Sequence, residues 1–496
     1  MLDLSTIVTL LFLCYLVGEI VKAQRKTQQY PPGPAAIPIL GCLWRLKFFQ
    51  LERDMLTEVA KSHGDIFTLW FGPSPVVILN GFQAVKDGLT THPEDVAGRP
   101  VTPFFRAMAN NKGLLLATGS TWRNQRRFSL ITLKSLGLGK MRLEYQIQEE
   151  ARHLVENFMN AKGKPVNPSF ALTLAVSNVV CAVVFGHRFS SDDKTFHHLL
   201  EAMECVFKFG GSRCHNLYDC FPWVMRRLPG PHKKTLSCCE SVRSFIRKEI
   251  SIHQSRGASE ELLDFIHCYL AQIEKSKDQP KPTYDEHNMI QSIFDLFLGG
   301  TETSSTTLYW ALLYMVAYPD VQEKVQKEIE ATVAPCQTIR YEDRKNLPYT
   351  NAVIHEVQRF SNIVSIGIPR LCVKDTMIRQ FPIKRGTIIL PNIASALMDP
   401  NEWETPREFN PSHFLDRDGK FTCREAFIPF SIGHRLCLGE HLAKTELFIF
   451  FSNLLKAFTF HLPEGVKAVN LEPVLGGTLQ PHYFEICAEP RQVLCG

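Results

Sequence analysis

Phe430-Ser-Ile-Gly-His-Arg-Leu-Cys437-Leu-Gly439 decides the reading of this chain. It sets one cysteine between two glycines, two residues after an arginine, and just ahead of an apolar run from Leu442 to Leu454 that reads as a helix. A thiol at a helix N-terminus faces unpaired backbone N–H groups and the positive end of the helix dipole, which favour its thiolate. Gly433 and Gly439 lack a Cβ, so a flat macrocycle can approach the backbone, and Arg435 can meet a carboxylate on that macrocycle. These are the features needed to hold a haem iron through one axial thiolate. A buried cysteine in a capping loop is the competing reading of a lone thiol.

The spacing Phe-x-x-Gly-x-Arg-x-Cys-x-Gly resembles, at every fixed position, the haem-binding signature of the cytochrome P-450 monooxygenases. The resemblance implies haem b (iron protoporphyrin IX) as cofactor, Cys437 as its iron ligand, and Phe430, Gly433, Arg435 and Gly439 as the surrounding loop.

A second segment, Gly299-Gly-Thr-Glu302-Thr303-Ser304, lies inside a long helical pattern from Asp285 to Ala317. Two glycines within a helix cost about 1 kcal/mol each relative to alanine. Such a cost points to a close approach or a local opening there. Glu302 and Thr303 offer a carboxylate and a hydroxyl on one turn, a route for protons. The segment resembles the oxygen-activating helix of the family, which implies that Thr303, aided by Glu302, delivers protons to bound dioxygen. Without Cys437 it reads equally well as a core helix with a Thr/Ser face.

Glu356-Val-Gln-Arg359 places two opposite charges three residues apart on one helical face. Exposed, such a pair is worth at most about 1 kcal/mol. In the family the pair is buried behind the haem and completed from a later loop, here Phe409-Asn-Pro-Ser-His413-Phe414, with His413 where arginine is usual. The resemblance assigns all three a structural role.

Trp122 and Arg126, four residues apart, share a helical face. By resemblance they meet a haem propionate, as do Arg99, Arg370 and Arg435. The same resemblance draws the substrate pocket from Phe104, Phe105, Met108, Leu115, Leu298, Gly299, Ile363, Val364, Ile366, Thr478 and Leu479, a mostly apolar set suited to a lipophilic ligand. Ser365 replaces a frequent proline and Leu298 a frequent glycine, two departures that reshape the space above the iron. A basic cluster of Arg123, Arg127, Lys134, Lys140 and Arg142, with His434 and Lys444, reads either as an ordinary wet face or as the docking site of an acidic flavin reductase.

Composition is that of a globular protein, 45% hydrophobic and 21% charged, and a net charge of +5 over 496 residues gives no sign of nucleic-acid binding. Fifteen scattered cysteines, including the neighbours Cys238 and Cys239, read as reduced and mostly buried thiols. Residues 1–21 contain an apolar run from Leu4 to Val17, resumed at Ile20 and Val21 and followed by Lys22, Arg25 and Lys26. That order, without an Ala-x-Ala-like cleavage site, favours a retained signal anchor over a cleaved signal peptide and keeps the body cytosolic. Residues 22–34, ending in Pro31-Pro-Gly-Pro34, form a stiff linker, and residues 35–496 one catalytic domain.

Ile66–Phe71 and Val76–Leu79 flank Gly72-Pro-Ser-Pro75 and read as a β-hairpin, Thr387–Leu390 as a further strand, and most other segments as amphipathic helix. The expected fold is mainly α with a minor β region, the cytochrome P-450 fold. Within the family the resemblance is closest to the microsomal family-2 enzymes of the J-subfamily group. That implies a single-pass protein of the endoplasmic reticulum membrane, reduced by NADPH–cytochrome P-450 reductase and cytochrome b5. Polyunsaturated fatty acids and foreign lipophiles are its expected substrates. A haem-thiolate peroxide isomerase or dehydratase, and a non-enzymatic haem sensor, are the alternatives; the hydroxyl of Thr303 and the Gly-Gly-Thr-Glu-Thr segment speak against both.

Overall fold

The computed structural model describes residues 28–37, 41–42, 53–72, 74–138, 141–255, 264–278 and 282–491, together with Asp3, Thr6 and Gly18. The rest of the expected anchor 1–21 and Lys140 lie outside the described residues. Among the described residues no helix is long and apolar enough to cross a membrane. The chain divides into two compact units, one of residues 1–100, 364–402 and 428–436, the other of residues 101–363, 403–427 and 437–496.

The smaller unit carries helices α1 (Arg53–His63) and α2 (Phe82–Thr90) and a sheet of β1 (Ile66–Phe71), β2 (Ser74–Leu79), β3 (Arg370–Leu371) and β6 (Ile388–Pro391), in the order β1-β2-β6-β3. β1 and β2 form the expected hairpin, with Ile66 opposite Leu79, turning at Gly72. β6 starts one residue later than its sequence pattern suggests and runs parallel to β2. A second hairpin joins β4 (Thr376–Ile378) to β5 (Phe381–Ile383). Alternation along β1 and β2 sends Phe67, Leu69, Val76 and Ile78 to one face, where Leu56, Val59 and Ala60 of α1 cover them. The proline-rich linker packs on this sheet: Pro31 and Pro34 are buried, and the Pro32 carbonyl accepts from the Thr68 N–H at 2.8 Å.

The larger unit is helical. Its principal elements are α3 (Pro103–Ala109), α4 (Gly119–Ser135), α5 (Met141–Asn160), α6 (Ser169–Val184), α7 (Lys194–Gly210), α8 (Pro231–Ser255), α9 (Phe265–Ser276), α10 (Glu286–Ala317), α11 (Pro319–Thr332), α12 (Pro348–Ser361) and α13 (Glu440–Ala457). The strands β7 (Phe458–His461) and β8 (Cys487–Pro490) pair antiparallel behind α13 in the chain. α10 is 32 residues long and mostly buried, so polar residues such as Asn288, Gln291, Asp295 and Ser304 lie inside and the helix is not amphipathic in the one-sided sense. Asp285 caps it by accepting from the Asn288 N–H at 2.7 Å. It ends at Tyr318 because Pro319, which cannot continue the hydrogen-bond ladder, opens α11 at its first position. Pro348 opens α12 in the same way. α6, α10, α13 and β7 share one core through Val176, Trp310, Phe450 and Phe460.

Candidate active site

α13 begins at Glu440, and Gly439 is its N-terminal cap, so Cys437 sits two residues before the cap. The Cys437 sulfur accepts from the backbone N–H groups of Gly439 and Glu440, which lower its pKa, and so does the nearby Arg126 charge. Desolvation is the larger effect, however, and with Glu440 it leaves the thiol above its ordinary pKa. The expectation of a thiolate favoured by the helix terminus is thus corrected: the dipole acts in the anticipated direction and burial outweighs it. The residue as a whole is nevertheless exposed. A desolvated sulfur on an exposed residue suits a metal, because a coordinated thiol is deprotonated outright.

The neighbouring residues of the larger unit fit a haem. A Cβ built on Gly439 or on Gly299 meets nothing within 4 Å, so both border open space. Trp122 is buried and Arg126 partly buried on the same face of α4. Desolvation lowers the Arg126 pKa and the Cys437 charge opposes that shift. In the smaller unit Arg99, Arg370 and Arg435 are all buried. Arg99 Nη1 donates to the carbonyls of Ile368 and Pro369 at 2.8 and 2.7 Å. Arg370 Nη2 donates to Ser431 Oγ at 3.1 Å, and Arg435 Nε to the Ala97 carbonyl at 2.8 Å. A planar guanidinium fork is the cation best matched to a carboxylate such as a propionate. Phe430 is partly buried in this unit. Gly433 is glycine for a further reason: its φ is +76°, and a Cβ there would lie 2.3 Å from the Leu89 carbonyl oxygen.

The glycine pair of α10 serves two different faces. A Cβ on Gly300 would lie 2.8 Å from Val180 Cγ2, so Gly300 admits α6, whereas Gly299 is exposed. The helix runs unbroken through both, so the expected local opening is absent there. One turn on, Thr303 Oγ1 donates to the Gly299 carbonyl at 2.6 Å, on the same open face. Glu302 does not share that face. Its carboxylate accepts from Gln480 Nε2 at 2.5 Å and from Thr478 Oγ1 at 3.3 Å. Burial pushes its pKa up to about 7.

Phe104, Met108 and Leu298 are buried in one apolar cluster, with Phe105 and Leu115 packed against it. The Phe104 ring lies 4.8 Å from that of Phe209, tilted, and meets His215 edge-to-face at 4.9 Å. The Ile363 carbonyl accepts from the Leu479 N–H at 2.8 Å, bringing those two together. Val364 and Ile366 belong to the other unit, where Ile366 packs on the sheet core. Phe221 and Trp223 are exposed.

Glu356 and Arg359 are fully buried and joined by two 2.7 Å hydrogen bonds. Arg359 also donates to the carbonyls of Pro406 and Glu408, and the Asn410 N–H donates to Glu356. His413 completes the cluster, with Nδ1 at 3.3 Å from both Glu356 oxygens. Because the Thr405 N–H donates to His413 Nε2, the Nδ1 carries the proton in a neutral ring. Arg123, Arg127, Lys134 and Arg142 are exposed, while Lys444 pairs with Glu440 at 2.6 Å.

Two buried acids of α10 and α13 are not singled out by the sequence. Asp295 accepts from the N–H groups of Leu114 and Leu115 at 2.7 and 2.8 Å, which fixes the segment bearing Leu115; burial raises its pKa to about 6. Glu446 accepts from Ser304 Oγ, and burial raises its pKa to about 8. Each is an acidic residue inside an otherwise apolar helical run, and that interruption was the available signal. No disulfide joins the described cysteines.

The sequence model of the family described as Cytochrome P450 matches residues 31–488. Cytochrome P450 2J2 of Homo sapiens is 42% identical over 476 residues, covering 96% of this chain and 94% of that protein. Cytochrome P450 2J5 of Mus musculus is 42% identical over 489 residues, covering 98% and 95%. Cytochrome P450 2C23 of Rattus norvegicus is 37% identical over 468 residues, covering 94% of each.

Proposed function

Since the chain belongs to the cytochrome P450 family of haem-thiolate monooxygenases and is similar to its J-subfamily members, we propose that it hydroxylates or epoxidises lipophilic substrates, polyunsaturated fatty acids and xenobiotics among them. The observation that carries this reading is the exposed residue Cys437, two residues before the cap of α13 and with backbone N–H groups of that helix turned to its sulfur. Haem b, when bound through that sulfur, supplies the activation of dioxygen.

This chain's own residues supply the rest. Trp122 and Arg126 of the larger unit and, taken by themselves, Arg99, Arg370 and Arg435 of the smaller one supply groups suited to haem propionates. Thr303 holds a proton at Oγ1 on the open face of α10 beside Gly299. Glu302, with a pKa of about 7, can exchange a proton near neutral pH, but Thr478 and Gln480 hold its carboxylate off the face that carries Thr303. The cluster of Phe104, Phe105, Met108, Leu115 and Leu298 receives the apolar body of the substrate and excludes water from it. Arg123, Arg127, Lys134 and Arg142 attract an acidic partner, NADPH–cytochrome P-450 reductase, with cytochrome b5 as a second donor. The apolar N-terminal segment anchors the protein in the endoplasmic reticulum membrane with the catalytic body in the cytosol.

The test combines purified protein, reductase and NADPH with a panel of fatty acids and drug-like compounds, and reads products by mass spectrometry. Oxygenated products that require NADPH support the reading. Turnover of organic peroxides alone, with no product from NADPH, would overturn it.

A further inference from the structure

Away from the site described above, α8 and α9 bring together three side chains that nothing in the oxygenation chemistry uses. His253 lies in the last turn of α8, Asp264 caps α9, and His267 stands in the first turn of α9. One oxygen of Asp264, Oδ2, lies 3.0 Å from His253 Nε2 and 2.7 Å from His267 Nδ1. We propose that His253 Nε2, Asp264 Oδ2 and His267 Nδ1 form a binding site for a zinc-class divalent cation, which staples the end of α8 to the start of α9.

The donor set is built rather than incidental. The other nitrogen of His253, Nδ1, faces the Glu249 carbonyl at 2.7 Å. A carbonyl only accepts, so Nδ1 carries the proton and the lone pair of a neutral ring points from Nε2 towards Asp264. That is the outer-shell arrangement which orients a histidine ligand for a metal. Asp264 is oriented too, because its other oxygen accepts from the His267 N–H at 2.9 Å. Gly186 leaves room for the carboxylate: a Cβ there would lie 2.8 Å from Asp264 Oδ2, and its φ of +76° admits no ordinary side chain easily. The Glu249 carboxylate is engaged by His187 Nε2 at 3.1 Å and is not a ligand.

Charge makes the same demand. With its lone pair on Nε2, a neutral His253 would face the Asp264 carboxylate with no proton between them, a repulsion that a cation placed there relieves. A second proton on the ring is one such cation, and a metal is the other. Two imidazole nitrogens and one carboxylate oxygen match the ligand preference of zinc, with water as fourth ligand. His267 is partly exposed, at 13%, and gives the ion and its water a way in. A tetrahedral ion with bonds of about 2.0–2.1 Å holds its ligand atoms about 3.3 Å apart. The contacts of 3.0 and 2.7 Å from Asp264 to the two imidazoles therefore need to open by about 0.3 and about 0.6 Å, within the reach of side-chain torsions.

The test uses the full-length, haem-loaded protein without a polyhistidine tag, stripped with a chelator, desalted and titrated with zinc chloride. Wild type is expected to retain about one zinc ion per chain after gel filtration, and His267→Asn to bind it at least about tenfold more weakly. Zinc K-edge absorption of the wild type is expected to show histidine scattering and a shell of nitrogen and oxygen near about 2.0 Å. His267 is the residue to vary because it is the least buried of the three, and the absorption spectrum decides the matter should the variant fail to load haem. Equal zinc retention by both proteins, no retention by wild type, or a zinc shell without histidine would each overturn the proposal and leave a protonated His253–Asp264 pair as the cation's only form.

Discussion

Ser304 Oγ donates to Glu446 Oε2 at 2.7 Å and so ties the middle of the long helix α10 to α13, the helix that begins three residues after Cys437. The other Glu446 oxygen is buried with no hydrogen-bond partner among the described residues. A carboxylate in that setting is costly, and burial raises its pKa from the ordinary 4.5 to about 8.

The raised pKa makes stability depend on pH in a stated direction. The folded protein keeps the Glu446 proton that the unfolded chain releases above about 4.5, so this group costs stability progressively as pH rises from there and no further above about 8. At neutral pH the cost is about 3 kcal/mol at most. Glu446→Gln is expected to flatten the decline of the urea unfolding midpoint between pH 5 and 8 relative to wild type. An unchanged slope sinks the assignment.

Cys437→Ala is expected to abolish the red-shifted band that thiolate-ligated ferrous haem gives with carbon monoxide, and NADPH-dependent product with it. Persistence of that band in the variant would show that another atom holds the iron.

Thr303→Val removes the hydroxyl that donates to the Gly299 carbonyl while keeping shape. Product formation is expected to fall about 10²-fold, the lower end of what a positioned proton donor contributes, with NADPH consumption diverted to peroxide. Thr303→Ser is expected to restore most of the coupling. Measuring NADPH, peroxide and product together separates lost proton delivery from lost binding.

Within the buried cluster, Glu356→Gln leaves the Arg359 guanidinium without its paired charge and is expected to cost about 3–5 kcal/mol. His413→Leu removes one neutral N–H donor from Glu356 and is expected to cost about 1–3 kcal/mol. Chemical unfolding midpoints of the two variants test the ranking; a larger loss from His413→Leu contradicts the neutral ring.

Much of the architecture is local and therefore legible. The β1–β2 hairpin follows from two apolar runs about Gly72, and α10 and α11 from the cap Asp285 and the break at Pro319. α13 starts two residues before the apolar run Leu442–Leu454 and ends three residues after it, since helix periodicity and capping act over single turns. What is not local was not legible. Glu302 and Thr303 are neighbours in sequence, and the sequence reading joined them in one proton route. Only Gln480 and Thr478, far along the chain, reveal that the carboxylate turns away from the threonine's open face. Lone aspartates and glutamates in apolar runs were visible, but their partners were not, because Leu114, Leu115 and Ser304 are recruited by packing.

By itself the sequence determined the chemistry available to this protein: one cysteine before a helix, an alcohol in the middle of another, and a set of arginines suited to carboxylates. The tertiary structure alone decided the electrostatic consequences. Whether a thiol, a carboxyl or an imidazole holds its proton depends on how much water packing removes and which distant groups it brings within hydrogen-bonding reach. That is why the Cys437 thiol is raised against its helix terminus, why Glu446 stays neutral, and why two histidines meet on Asp264.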